Sequence, residues 1–394
     1  SDGPARQRTR NGLVVLQVAL ALMLMVASGL MVRTFLAMRQ VHPGFARPEQ
    51  VQTFRIAIPE SLVGDPGEAA RTHERIAERL AQVPGVRSVG ISSSITMDGE
   101  DNTNPLYVED FPVAEGVLPP LRRFKSFAPG YFETMGNPVV AGRSVTWDEV
   151  HQGRPVVVVS EVLAREYWGE PARALGRRVR GSGDAEARWY EVVGVVGEER
   201  DDGLNHPATA VVYWPLLNDS YERSTLAYAV RSDRVGAPGF LRELRQAVWS
   251  VDPRLPLAAV ETLDAIQARS MARTSFAMVM LAIAAGVALL LSVVGIYGVV
   301  AYMAPQRTRE IGIRMALGAQ IGEVRKIFLR HGLRLTATGI ALGIGGALVL
   351  TRVMSTLLFG VRAMDPLSYA AVSAVLAGVA LLATYLPARR ASRV

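Results

Sequence analysis

Four stretches of the chain lose their polar residues for about the thickness of a bilayer, and the remainder alternates as a water-soluble domain does. A span of roughly 30 Å of hydrocarbon takes about 20 apolar residues at 1.5 Å each. "LVVLQVALALMLMVASGLMV", residues 13–32, carries no charge, with Gln17 as its one large polar residue. Residues 276–303 form a second uncharged run, long enough to tilt or to project beyond the bilayer. The third, Leu335 to Leu350, is short and glycine-rich, and the fourth is "LSYAAVSAVLAGVALLATYL" at 367–386. A secretory signal peptide is the competing reading of the first run, with "RQRTR" as its basic start and "VAS" near a cleavage site. It is the weaker one, because such apolar cores run about 7–15 residues.

Between the first and second runs the period changes. "VQTFRIAI" reads as a strand, and "GEAARTHERIAERLAQV" as an amphipathic helix with Ala70, His73, Ile76, Ala77 and Leu80 on one side. "PGVRSVGIS" then supplies a turn and a strand. Further strands are predicted at "RPVVVVS", "YEVVGVVGE" and "STLAYAVRS", and helices at 160–168 and 238–250. Interleaving of this kind predicts an α+β fold with helices on a sheet face. Residues 97–120, rich in Asp, Asn, Pro and Gly, read as one long loop. The predicted fold class is therefore a polytopic α-helical membrane protein with four transmembrane helices and a large α+β domain inserted between helices one and two.

Composition agrees with this mixture: 49% of the 394 residues are hydrophobic, 20% are charged, and mean hydropathy is +0.20. Charge then orients it. Residues 36–272 hold 26 Lys+Arg against 32 Asp+Glu, so the overall +7 comes entirely from the segments beside the apolar runs. A basic total often points to nucleic acid, but basic flanks of apolar runs point to membrane topology instead, and no nucleic-acid partner is expected. Arg6, Arg8 and Arg10 precede the first run, seven Arg and Lys lie between the second and third, and Arg389, Arg390 and Arg393 follow the fourth. Positive flanks stay in the cytoplasm. The expected order is a cytoplasmic segment at 1–12, helix one at 13–35, a periplasmic domain at 36–272 and helix two at 273–303. A cytoplasmic loop at 304–334, helix three at 335–352, a short outer loop at 353–366, helix four at 367–386 and a cytoplasmic tail at 387–394 complete it. Gly339 and Gly343, with Gly345 and Gly346, place small residues on helix three, a pattern used for close helix packing in lipid and also one that a membrane helix merely tolerates. No charged residue sits deep in any span, which disfavours an ion or proton pathway.

Several chemistries are missing. There is no G-x-x-x-x-G-K-[ST] loop, and neither Lys125 nor Lys326 follows such glycines. The five histidines are scattered without zinc spacing, there is no cysteine, and "GISSS" at 90–94 is not a nucleophile elbow. No catalytic, cofactor-binding or metal-ligating residue is assigned, and no cofactor is expected. Glu198, Glu199, Asp201 and Asp202 could hold a divalent cation, but they read better as a solvated hairpin tip.

The loop at 304–334 carries the distinctive pattern. From Thr308 to Leu317 a short helix is expected, stopped by Gly318, with Ile311, Met315 and Leu317 partly on one side and Arg307, Glu310 and Arg314 on another. A second amphipathic stretch follows, with Ile321, Val324, Phe328 and Leu335 in phase. Such a helix either lies on the bilayer surface or docks on a protein. "QRTREIGIRMALGA" at 306–319 resembles the cytoplasmic coupling segment of MacB-like and FtsX-like ABC transporter permeases. The order of one span, a large outer domain and three spans resembles that family from end to end. "PGYFETMGNPVVAGR" at 129–143, "AVWSVDPRLPLAAVETLDAI" at 247–266, "SVVGIYGVVAY" and "LLFGVRAMDPLSY" resemble in particular the duplicated acidobacterial-type permeases, in which two such units share a polypeptide.

The resemblance implies a permease in the bacterial inner membrane that works by mechanotransmission. It is not itself an enzyme: a separate cytoplasmic ABC ATPase subunit would hydrolyse ATP and act on Arg307, Arg309, Glu310, Ile311, Gly312, Arg314, Met315 and Leu317. Gly339 and Gly343 would serve helix packing. Its implied partners are that ATPase, the lipid bilayer, a second permease unit (a homodimer or a fused half) and a periplasmic adaptor. Its implied output is efflux of a hydrophobic compound or lipoprotein, or control of a periplasmic partner. "SDGPARQRTR" resembles a junction into a second unit, so the chain is expected to be the C-terminal half of a longer protein. A membrane receptor and an envelope scaffold with a periplasmic ligand-binding domain remain the alternatives.

Overall fold

The computed structural model describes residues 4–114, 116–181, 187–217, 225–306, 321–354, 359–361 and 365–391. It divides into two compact units, one of residues 1–40 with 272–394 and one of residues 41–271. The first begins with α1 (Pro4–Arg39), unbroken because its run of Leu, Val, Ala and Met contains no proline and one glycine, Gly29.

The second unit has a frame and an insertion. The frame starts with β1 (Val51–Ile56), α2 (Pro66–Ala81) and β2 (Val86–Ser92). Asp65 caps α2 by accepting from the Glu68 amide at 2.8 Å, and Pro66 occupies the first turn, where no amide partner is needed. The buried face of α2 is Ala69, Ala70, Thr72, His73, Ile76 and Leu80. After β2 the chain leaves the frame for β3 (Thr103–Pro105), β4 (Tyr107–Val108), β5 (Leu121–Phe127), α3 (Tyr131–Met135) and β6 (Val139–Gly142). It continues through α4 (Trp147–His151), β7 (Val156–Ser160), α5 (Glu161–Trp168), β8 (Arg178–Arg180), β9 (Tyr190–Val196) and β10 (Val211–Pro215). It then returns as β11 (Leu226–Ser232), α6 (Phe240–Val251) and β12 (Ala258–Thr262).

The frame strands lie in the order β12-β1-β11-β2, all antiparallel. Strand–helix–strand twice over with that order is a split β-α-β arrangement. Both of its helices are amphipathic, and α6 buries Phe240, Leu244 and Val248. In the β1–β11 register Phe54 stands opposite Tyr228, and the rings stack at 5.4 Å. The sheet runs on from β2 through β5, β10, β7, β9 and β8 to β4, with β5–β10 and β7–β9 parallel. The insertion has its own core, in which Phe124, Val157, Val159, Leu163, Val192 and Trp214 are buried together.

The loop expected at 97–120 is partly ordered as β3 and β4. Thr103–Pro105 pairs with Leu121–Arg123 along the edge of β5, and a three-residue strand ending in proline is too short to show alternation. Among the described residues three helices follow: α7 (Leu263–Gln306), α8 (Ile321–Val353) and α9 (Pro366–Ala391). With α1 they supply four segments long and apolar enough to cross a membrane, Arg8–Arg39, Thr274–Tyr302, Leu329–Val353 and Pro366–Tyr385. Helix α8 starts before its apolar part, and 321–334 holds no proline to interrupt it.

His73 is sealed between α2 and the sheet, where its Nδ1 lies 2.6 Å from the Tyr228 hydroxyl. Burial drives its pKa down to about 3, so the ring is neutral. A depressed histidine contributes stability above its unfolded value near 6.5 and loses it as pH falls through the acid range. Replacing Tyr228 by Phe leaves the imidazole nitrogen without its partner in a site closed to water. The expected cost is about 1–3 kcal/mol, read as a lower thermal unfolding midpoint of the full chain; an unchanged midpoint would show that the bond contributes nothing.

Candidate functional site

Within the helical unit, α1 and α8 approach each other along one line of small residues. A Cβ at Gly339 would fall 2.7 Å from Val18 Cβ, and one at Gly343 would fall 3.0 Å from both the Ala19 carbonyl and Leu22 Cβ. One turn on, a Cβ at Gly346 would meet the Met23 sulfur at 2.6 Å, whereas Gly345 and Gly378 face open space. The 339, 343, 346 spacing is that of one helix stripe. On α7, Gly295 leaves room for the Gln17 amide oxygen of α1. Two apolar clusters fill the same interfaces: Val14, Val18, Ile296, Val300 and Ala383 in one, Leu22, Val26, Leu30, Ala347 and Leu376 in the other.

The polar contacts of this unit sit near the helix ends. Arg10 lies 4.0 Å over the Tyr302 ring and donates to the Gly298 carbonyl at 3.4 Å. Arg33 pairs with Asp365, and that carboxylate also accepts from the Ser368 amide at 3.0 Å, capping the start of α9. The outward faces are apolar, with Phe276, Ile283, Leu290 and Val294 of α7 more than half exposed, as lipid-facing residues are. The coupling candidates Arg307, Arg309, Glu310, Ile311, Gly312, Arg314, Met315 and Leu317 lie outside the described residues, in the segment between α7 and α8.

The second unit holds a polar cluster that corrects the sequence reading. Glu198 and Asp202 are largely exposed, but Glu199 and Asp201 are not part of a solvated tip: their side chains are 0% and 4% exposed. Both accept from Lys125 Nζ, at 2.8 Å to Glu199 Oε2 and 2.6 Å to Asp201 Oδ1. Thr96 donates to Glu199 Oε2 at 3.1 Å and Asn137 to Oε1 at 3.1 Å. Burial alone pulls the Lys125 ammonium down, but the two carboxylates outweigh it and hold its pKa well above the ordinary lysine range. Among the described residues no group of three His, Cys, Asp or Glu is arranged for a metal ion. The missed signal was period two: 199 and 201 point inward while 198, 200 and 202 point out, opposite a lysine in a buried strand.

The comparisons with known proteins divide the chain between its first span with the inserted domain and its last three helices. The MacB-like periplasmic core domain family matches residues 12–246, more than half of the sequence, and the FtsX-like permease C-terminal family matches residues 282–394. The chain belongs to the MacB/FtsX-like permease family. It is a multi-pass membrane protein whose inserted α+β domain is the periplasmic, or extracellular, core. It is 27% identical over 271 residues to the pyoverdine export ATP-binding/permease protein PvdT of Pseudomonas savastanoi pv. phaseolicola, covering 65% of this chain and 39% of that protein. To the macrolide export ATP-binding/permease protein MacB of Chromobacterium violaceum it is also 27% identical, with 67% and 40% covered. The uncharacterized ABC transporter permease YknZ of Bacillus subtilis is 24% identical over 315 residues, covering 77% of this chain and 74% of YknZ. The chain thus spans about two fifths of the export proteins' length. Among solved structures, the periplasmic region of MacB from Actinobacillus actinomycetemcomitans aligns with a TM-score of 0.37 at 19% identity, over 59% of this chain and 96% of that one.

The glycine stripe gives a direct test in this family member. Gly343→Leu forces a branched side chain against the Ala19 carbonyl and Leu22, and overpacking of that kind costs about 1–3 kcal/mol. Gly378→Leu, in open space, is the control. The yield and melting midpoint of detergent-purified protein should fall for the first and hold for the second; equal tolerance would make the α1–α8 stripe incidental.

Proposed function

We propose that this chain is the permease subunit of an ABC transporter of the mechanotransmission type. In this reading a separate ATPase dimer closes in the cytoplasm and moves the segment at 307–318. That motion passes along α1 and α7 to the periplasmic core, and no substrate need cross the bilayer through this chain. The observation that carries the proposal is the pairing of the two family matches on one chain, a periplasmic core followed by an FtsX-like C-terminal part. Two further features support it. The chain has no phosphate-binding loop of its own, so the energy source must be another subunit or another part of a longer protein. No charged residue sits deep in its described spans, which makes a poor lining for an ion channel and suits levers packed in lipid.

Two outputs fit this reading: expulsion of a hydrophobic compound or lipoprotein, with a periplasmic adaptor, or mechanical control of a periplasmic protein. Export of pyoverdine or macrolides is what the names of the relatives describe for those proteins. Here a second permease unit, as a homodimer or a fused half, would complete the transporter in the inner membrane.

The coupling segment is where the proposal is most exposed to experiment. Burying one large aliphatic side chain contributes about 1.5–3 kcal/mol, so Ile311→Asp should weaken the ATPase complex at least about tenfold. Copurification of the ATPase and its coupled activity are the readouts. Full recovery of partner with normal activity would mean that this segment only rests on the membrane. Orientation has its own test, since the chain has no native cysteine. A cysteine at Asn102 should react with an impermeant reagent in cells whose outer membrane is opened, and one at Gln320 only after the inner membrane is broken. The reverse pattern contradicts the topology.

A further inference from the structure

Lys125, Glu199 and Asp201 form a sealed group with two carboxylates and one ammonium, so it is one positive charge short of neutrality. The two carboxylates do not share that deficit equally. Glu199 accepts from Lys125, Thr96 and Asn137, three donors over its two oxygens. Asp201 accepts from Lys125 through Oδ1 alone, and its buried Oδ2 has no hydrogen-bond partner. A buried oxygen of an ionised carboxylate with no donor is the costliest atom in such a group. The other cations around it are engaged by other acids, and Arg123 is the smallest of the influences that pull the Asp201 pKa down. Arg123 is held by Asp202 at 2.7 Å and Asp101 at 3.3 Å, and Arg269 by Glu261 at 2.6 Å. Tyr131 of α3 and Tyr213 of β10 are buried beside the carboxylates, and burial first, then the nearby charges, keeps both phenols protonated.

We propose that the Lys125–Glu199–Asp201 triad is a proton-sensing element of the outer domain, which takes up one proton at Asp201 as its surroundings turn mildly acidic. The proton makes the sealed triad neutral and gives Oδ2 a hydrogen to donate. The pKa of Asp201 is pushed up to about 6, by desolvation first, against the opposing pull of Lys125. A cleft of about 370 Å³, lined by Asp98, Glu100, Asp101, Asp202 and Arg269 among others, has Asp201 in its wall and gives protons a route to the edge of the buried triad.

The position of the 199–203 loop gives the titration something to act on. The Arg200 amide donates to the Pro43 carbonyl at 3.1 Å, and a Cβ on Gly44 would strike the Glu199 backbone at 2.7 Å. At its other end, a Cβ on Gly203 would come 3.0 Å from the Ser270 hydroxyl. Pro43 follows α1 by four residues and Ser270 lies in the first part of α7. Within this domain the loop therefore holds the segment that follows α1 by a hydrogen bond and lies close against Ser270 at the start of α7. With Asp201 ionised, hydration of the surplus charge through the cleft favours loosening of that loop; with Asp201 protonated, the anchorage is tight.

The sign is fixed. An acid whose folded pKa is raised stabilises the fold below its unfolded value and loses that contribution as pH rises through the folded one. His73 has the opposite slope, but it is common to the wild type and any Asp201 variant. Thermal unfolding of the full detergent-solubilised chain is compared with that of Asp201→Asn at about pH 7.5 and about pH 5. On going to the lower pH the wild type should gain roughly 3–5 °C relative to the variant. Parallel profiles would overturn the proposal. If Asp201→Asn does not fold, infrared difference spectra of the wild type decide: a buried protonated-carboxyl band should grow in as pH falls through 6, and its absence would equally overturn it. Neither measurement involves an ATPase, so failure here leaves the permease reading untouched, and failure of Ile311→Asp leaves this one untouched.

Discussion

Helices in lipid gain nothing from burying apolar side chains against one another, because the solvent is as apolar as they are. What can hold α1 against α8 is closeness of fit. The stripe of Gly339, Gly343 and Gly346 supplies it by letting Val18, Ala19, Leu22 and Met23 approach the α8 backbone. The first span is the most enclosed of the four for this reason, and the outward faces of the others can stay greasy without penalty. The charged pairings between these helices lie near the ends of the spans, at Arg10 with Tyr302 and at Arg33 with Asp365, where water or headgroups can reach them.

The inserted domain obeys the opposite rule, since in water burial of apolar area does the work. Its split β-α-β frame closes over α2 and α6, and its insertion builds a separate core around Phe124 and Trp214. Where the frame meets the insertion, β5 is buried on both faces. Phe124 goes to the apolar side and Lys125 to the other, which obliges the loop after β9 to bring in Glu199 and Asp201. A buried lysine without them would be untenable.

Much of this was legible from residues alone. The spans stand out because about 20 apolar residues in a row have few other uses, and β1, α2 and β2 because strand-like runs flank a stretch with clear helical spacing. Strand β5 was not legible, since "LRRFKSF" puts Arg123 and Lys125 where a strand pattern asks for apolar residues. The same reasoning misplaced Glu199 and Asp201: four acids in five residues read as surface, and the partner lysine some 74 residues earlier, with Thr96 and Asn137, explains their burial. The coupling segment is a different case. Its pattern suits a helix on the bilayer as well as one docked on a protein, so the assignment rests on family resemblance rather than on spacing.

The account turns on whether nucleotide in the cytoplasm moves the periplasmic core. A single spin label at Asn102, introduced into the otherwise cysteine-free chain, reports the distance between the cores of two permease units reconstituted with the ATPase in nanodiscs. Mechanotransmission predicts that the distance distribution shifts when ATP is added under non-hydrolysing conditions and returns when nucleotide is removed. An unchanged distribution in a complex whose ATPase demonstrably binds nucleotide would contradict it.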